Sequence, residues 1–332
     1  MSDDIDTITF TDLSKFRKKK QVPPFPIVGI VGQHIMKKTM LLLASNPSMG
    51  NIIIIGEAGI GKSTAARGLR DILPEVECVN GCFYNCDPKD KNNLCQDCKS
   101  SVAELNSFGK RVPLHELPIG ASERRIFGGF DSQSRLKPGF VGLANRGYLI
   151  LARVNLLDHD ILNRILDISE SGIYKSSSDR GDFVHPAKFN VIATMNPEDG
   201  ELDQEVLERF SLVVNIQSIK DIEERIEIVR RVEAYRLNAD DFIIRNRREM
   251  EAFAQRVKRA RDLVNRVDMP KKVQDAMDNI LKKVGQENDR ARNALSQATL
   301  ANTAFNDRVW STVDDVAEVA DTVLGHRERE QE

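Results

Sequence analysis

The chain has 332 residues, a formal net charge of −2, 30% charged side chains and only 6% aromatic ones. That length admits one large or two medium domains with a substantial core. The near-neutral balance gives no global electrostatic case for a nucleic-acid partner, and no apolar run approaches the roughly 20 residues that span a membrane.

Residues 1–22 read as a flexible tail. Met1-Ser2-Asp3-Asp4-Ile5-Asp6 starts acidic and lacks the apolar segment of a secretory signal, so a cytoplasmic location is expected. The short basic run Lys15–Lys20 reads as a solvated arm. Val22-Pro23-Pro24-Phe25-Pro26 is a stiff entry, and residues 35–44 read as a helix broken by Pro47 and Gly50. The apolar run Ile52–Ile55 reads as a strand. It leads into Gly56-Glu57-Ala58-Gly59-Ile60-Gly61-Lys62-Ser63-Thr64 and then a helix. A strand, a glycine loop ending in Gly-Lys-Ser-Thr and a helix form a P-loop in its required context. Its glycines let backbone N–H groups turn toward an anion. Lys62 can reach the β/γ-phosphates of ATP, and Ser63 can hold Mg²⁺.

Residues 78–100 form a Cys-, Asn- and Asp-rich insertion without periodicity. Cys82, Cys86, Cys95 and Cys98 make two close pairs, C-x3-C and C-x2-C, separated by eight residues. This pattern suits a four-thiolate zinc site, with an iron–sulfur cluster, unligated thiols and redox-labile thiols as the alternatives. Residues 113–140 and 171–185 read as loop or hairpin excursions. Tyr148–Leu151, Asn190–Met195 and Leu212–Ile216 read as strands, with helices near 158–169 and 205–210. Strands alternating with helices predict a parallel α/β sheet. After residue 220 the segments 221–237, 246–267, 271–283, 291–305 and 313–324 show helical spacing of apolar residues with dense charge, the pattern of bundle packing. An α/β nucleotide core over 23–220 followed by a helical lid over 221–332 is the AAA+ layout.

An ordered series of segments between Phe25 and Arg327 resembles the AAA+ ATPase subunit of magnesium chelatase, its I subunit. The series comprises Ile30-Val31-Gly32-Gln33, the P-loop, Leu117–Glu123, Pro138-Gly139-Phe140, Asn145–Leu149, Val154–Asp158, Ser171-Gly172 and His185-Pro186-Ala187. It continues through Asn196–Leu202, Leu207–Phe210, Asp314-Asp315-Val316 and Val323–Arg327. The resemblance implies ATP and Mg²⁺ as cofactors and an adenine pocket lined by Ile30, Val31 and Gly32. It gives Asn196 the role of sensor 1, positioning the attacking water. Arg209 becomes an arginine finger reaching a neighbouring subunit, an effect worth roughly 10³–10⁵ in rate. A homo-oligomeric ring, in this family a hexamer, follows. So does a partner subunit with a von Willebrand-type domain, with ATP driving metal insertion into a porphyrin in chlorophyll biosynthesis. The two excursions correspond to hairpin insertions of the AAA+ core. Sensor 2 is expected near Gln297, with Arg290 and Arg292 as nearby substitutes.

One departure is sharp. Where the family ends its Walker B strand with Asp-Glu, this chain has Ala152-Arg153, flanked on both sides by matching segments. The aspartate would support Mg²⁺ and the glutamate would polarise the attacking water. Alanine does neither, and an arginine cannot serve as a base. The local charge changes from −2 to +1. Arg153 could instead pair with phosphate oxygens. The expectation is retained ATP binding with severely slowed hydrolysis, unless Asp158 or Asp160 supplies a substitute carboxylate. Two other functions fit the same motifs: a chelatase- or MoxR-like remodelling chaperone, and a non-hydrolysing nucleotide-binding ring scaffold. A DNA-helicase role would lean on Lys137, Lys175 and Arg180 in the hairpins, against a net charge of −2.

Overall fold

The computed structural model describes residues 22–100, 106–130, 136–178 and 181–324. Residues 1–21 of the tail, Arg180 and the final Gly325-His326-Arg327 lie outside them. Helix α1 (His34–Ser45) leads to strand β1 (Ile52–Ile55), the P-loop and helix α2 (Lys62–Gly68). Strands β2 (Glu75–Val79) and β3 (Ser107–Arg111) form an antiparallel pair that brackets the cysteine insertion, which carries the short helix α3 (Gln96–Ser100). The insertion read as aperiodic therefore ends in one helical turn and more. Strand β4 (Leu114–Leu117) follows, then helix α4 (Glu123–Phe127) and the pair β5 (Gly128–Phe130) and β6 (Leu136–Pro138). Helix α5 (Phe140–Leu143), strand β7 (Tyr148–Leu151) and helix α6 (His159–Ser171) come next. They precede the hairpin β8 (Ile173–Ser178) and β9 (Gly181–Pro186), strand β10 (Asn190–Met195), helix α7 (Gln204–Leu207) and strand β11 (Leu212–Asn215).

Five strands form one parallel sheet in the order β11-β1-β10-β7-β4. Its central strands are near-continuous apolar runs because helices cover both faces. Ile52, Ile53 and Ile54 are each fully buried, and burying such a side chain stabilises the fold by about 1.5–3 kcal/mol. The segment 113–140, expected to be an excursion throughout, contributes β4 as the sheet's edge. Leu114 and Leu117 point inward while His115 and Glu116 are half-buried, and the flanking Pro113 and Pro118 hide so short a strand from pattern reading.

Helices α8 (Ile222–Leu237), α9 (Ala239–Leu263), α10 (Lys271–Lys283), α11 (Asp289–Phe305) and α12 (Val313–Leu324) complete the chain. Helix α9 starts seven residues before the expected 246, because the Asn238 side chain accepts from the Asp241 N–H and caps it. One contiguous apolar core joins Ile52 and Ile54 of the sheet with Met40 and Leu43 of α1, Val257 of α9, Leu295 of α11 and Val323 of α12. The opposite face holds a second core beneath α6 and the two hairpins, which meet through Phe130 against Phe183 and Phe127 against Tyr174. No helix among the described residues is long and apolar enough to cross a membrane.

Candidate functional site

The carboxyl ends of β1, β10 and β7 lie side by side, the edge of a parallel sheet where loops converge on ligands. Register pairs Ile55 with Met195, and the Gly56 N–H donates to the Met195 carbonyl at 3.2 Å, so Asn196 sits beside the P-loop entry. Gly59 and Gly61 have φ of 81° and 98°, and a Cβ added at either would meet nothing within 4 Å. The conformation needs glycine, and the space before the loop is open. Lys62 is buried, and its ammonium donates to the Gly56 and Glu57 carbonyls. Burial lowers its pKa, opposed by the charges of Asp199 and Glu57. Glu57 and Ala58 are exposed at the loop tip, and Ile60 is half-buried. This set of turned backbone, buried cation and open space fits a phosphate chain.

A cleft of 830 Å³ runs from the loop toward α8. Ile30, Val31, Gly59, Ile60, Gly61 and Thr64 line one wall. Gly32 supports that wall. Its φ is 59°, and a Cβ there would approach Ile219 Cδ1 to 2.7 Å. The other wall is α8, through Ile228, Val229, Val232 and Tyr235, with Arg225 and Arg236 at its margin. Sequence reading missed these residues because α8 looked like bundle packing. In the structure none of its residues is buried, and its apolar residues Ile228, Val229 and Val232 line the cleft rather than a core.

Ser63 Oγ lies 3.4 Å from Thr194 Oγ1, and the Arg153 N–H donates to that same hydroxyl at 3.3 Å. The end of β7 therefore abuts the residue expected to hold Mg²⁺. There the chain offers Ala152 and Arg153, with no carboxylate. Arg153 adopts a left-handed backbone, φ 54°, a conformation that costs a non-glycine residue on the order of 1 kcal/mol. Its guanidinium makes a two-pronged pair with Asp199, Nε to Oδ2 at 2.9 Å and Nη2 to Oδ1 at 2.8 Å. Arg153, together with Asn196, holds the Asp199 carboxyl below its ordinary range, and Lys62 adds to this. Asp199 is the carboxylate of this site, and sequence reading missed it. Asp158 is spent instead on capping α6, where its Oδ1 accepts from the Asp160 and Ile161 N–H groups at 3.0 and 3.1 Å, and Asp160 is exposed.

Asn196 is buried, and its Oδ1 accepts from the Glu198 N–H at 3.4 Å. Arg209 faces α6: Nη2 pairs with Asp167 at 2.7 Å and Nε with Glu170 at 3.0 Å, leaving the side chain 14% exposed. Gln297, the expected vicinity of sensor 2, is at the wrong end of the sheet. Its carbonyls accept from Asn46 Nδ2 at 3.0 and 3.1 Å, beside the turn that Asn190 binds from the start of β10, a full strand length from Asn196. Arg292 is committed to Asp278 on the surface. The cations lining the cleft are Lys220 and, from α8, Arg225, Arg231 and Arg236, and Arg231 also donates to the Val28 and Gly29 carbonyls. The four cysteines do gather: the Sγ atoms of Cys82, Cys86, Cys95 and Cys98 all lie within 4.8 Å of one another, away from the P-loop in the β2–β3 excursion.

Comparison with known proteins agrees with this geometry. The family model described as magnesium chelatase, subunit ChlI, matches residues 27–210. A Methanocaldococcus jannaschii magnesium-chelatase subunit ChlI homolog is 37% identical, covering 92% of this chain and 86% of that protein. The magnesium-chelatase 38 kDa subunit of Acidiphilium rubrum is 32% identical, covering 92% and 91%. Among solved structures, a complex between the BchI and BchD subunits of magnesium chelatase, based on a 7.5 Å cryo-EM reconstruction, contains a chain 31% identical with a TM-score of 0.53, covering 92% of this chain and 97% of that one. A candidate ATPase from Cytophaga hutchinsonii, 16% identical with a TM-score of 0.59, shares the fold alone. A P-loop at the edge of a five-stranded parallel sheet, a family match across that core and relatives spanning nearly the whole chain place the protein in the AAA+ magnesium chelatase subunit ChlI family.

Proposed function

We propose that this chain is an ATP-binding ring subunit of a chelatase-type AAA+ machine whose hydrolytic step is severely slowed. The single observation that carries the reading is the end of β7. Ala152 and Arg153 occupy the position where a metal-supporting and a water-activating carboxylate belong, and Arg153 is locked onto Asp199. ATP supplies the phosphoanhydride bond and Mg²⁺ the charge that steadies it. Lys62 and the loop amides would hold the phosphates, Ser63 would face the metal, and Ile30, Val31 and Gly32 would bound the base. Asn196 would orient a water molecule. No group on β7 would take its proton, because a guanidinium stays charged at any ordinary pH.

Arg209 would act in trans on the next subunit, in a homo-oligomeric ring of hexamer type. The complex of BchI with BchD supports a partner subunit for this chain as well. By the same relationship, the ring's task would be to remodel that partner for metal insertion into a porphyrin, with the surroundings those of the cytoplasm. Slow hydrolysis favours, as a second reading, a nucleotide-stabilised ring scaffold. A remodelling chaperone with another client would need faster turnover. Calorimetric titration with ATP and Mg²⁺, alongside sizing of the assembly, tests the reading. The native chain should bind ATP and enlarge on binding, and Lys62→Ala should lose at least tenfold in affinity, about 1.4 kcal/mol. Absence of ATP binding by the native chain would sink it.

A further inference from the structure

The cysteine insertion takes no part in the nucleotide site, yet it has the geometry of a closed metal centre. We infer that Cys82, Cys86, Cys95 and Cys98 bind a single zinc ion that orders the excursion between β2 and β3 and fixes its contact with the sheet. Four thiolates about 2.3 Å from one tetrahedral ion stand about 3.8 Å from each other. Cys82 Sγ and Cys95 Sγ are 3.8 Å apart, and the four sulfurs fall within a 4.8 Å span. An iron–sulfur cluster divides its four thiolates among two or more irons and so spreads the set farther apart. The crowding fits one ion, and an all-thiolate tetrahedron with no open position suits zinc in a structural role.

The surroundings support the same ion. Cys86, Cys95 and Cys98 are buried, and Cys82 is half-buried. A backbone donor is aimed at one of the sulfurs. The Cys95 N–H reaches Cys86 Sγ at 3.2 Å. Such a donor spreads the negative charge that four thiolates leave on a divalent ion. A cavity of 340 Å³ lined by Cys82, Cys95 and Cys98 gives the ion a way in. The fifth cysteine, Cys78, stands apart beside Arg146, whose Nη1 lies 3.8 Å from its sulfur.

The ion would hold more than its own loop. Residues 84–87 follow the first ligand, and they dock on the core. The Tyr84 ring stacks on His185 at 4.2 Å between centroids, and the Tyr84 carbonyl accepts from Asn145 Nδ2 at 2.6 Å. Asn85 Nδ2 donates to the Leu143 carbonyl at 2.9 Å, and Arg146 Nη2 pairs with Asp87 at 2.7 Å. Asn145 and Arg146 lead into β7, and His185 closes the β8–β9 hairpin. The zinc site thus braces the start of the strand that ends at Ala152.

The test is metal analysis of the full chain, purified under reducing conditions with zinc supplied. One zinc per chain is expected, and cobalt substituted for it should give the ligand-field bands of a tetrahedral tetrathiolate. Cys86→Ser with Cys95→Ser should lose the metal, and Cys78→Ser should retain it. Chelation of the native chain should lower its melting temperature and speed amide exchange across 80–98 and 143–146. Substoichiometric zinc in the native chain, iron in its place, or full zinc in the double variant would overturn the proposal. The metal content of the unaltered chain decides the matter even if a variant fails to fold.

Discussion

Arg153 is the residue on which the nucleotide site turns. A cation at the end of β7 would repel Mg²⁺ and Lys62 if left free. Its two bonds to Asp199 neutralise it, and the strained backbone at φ 54° aims it there. Because Arg153 is half exposed, the pair is screened and contributes little to stability. Its consequence is chemical: the one acidic side chain coupled to both Lys62 and Arg153 is already occupied. His185 illustrates a different residue-scale cost. Burial lowers its pKa, only partly offset by its bond to the Pro186 carbonyl. The folded state therefore favours the neutral ring, while the unfolded chain takes up a proton below about pH 6.5. Stability should fall as pH drops below that value and be flat above it. Melting curves between pH 8 and pH 5 should show this slope, and His185→Phe should make it shallower.

At the scale of elements, the apolar periodicity was enough to find the central strands and every helix after residue 270. Lys271–Lys283 and Val313–Leu324 begin and end where the pattern does. It failed where an element is short or its boundary depends on one side chain. Strand β4 is four residues between prolines, and the start of α9 depends on the Asn238 cap. The site divides the same way. The P-loop is contiguous and legible, whereas Asp199 meets Arg153 across 46 residues, a pairing that only the register of β7 against β10 creates. Asp315 shows how much one side chain can hold between elements. It is 1% exposed and accepts from Asn302 of α11, from Arg308 and from the Thr312 N–H in the turn before α12. Burial pushes its carboxyl up, but these bonds together bring it below the ordinary range. Its contribution is thus present above the unfolded value near pH 4 and lost as pH falls through the lower folded one. Asp315→Ala should cost about 2 kcal/mol or more at pH 7, since it strips a partner from buried donors. Denaturant unfolding would measure this, and a loss under about 0.5 kcal/mol would refute the assignment.

Among the described residues of the whole molecule, the helical segment lines the cleft through α8. The α11 region packs at the opposite edge of the sheet, which is why a sensor sought near Gln297 is not beside the P-loop of its own chain. Arg209 is likewise turned onto α6 and would have to leave Asp167 and Glu170 to reach a neighbour. The proposed block to catalysis lies inside the chain, at Ala152 and Arg153 beyond the end of β7. The decisive measurement is single-turnover hydrolysis of ATP with Mg²⁺ by the native chain and by the Ala152→Asp, Arg153→Glu variant, both saturated with nucleotide. The restored carboxylates should raise the rate by about 10²-fold or more, the range of a positioned general base. Equal and robust turnover in the two proteins would contradict the account.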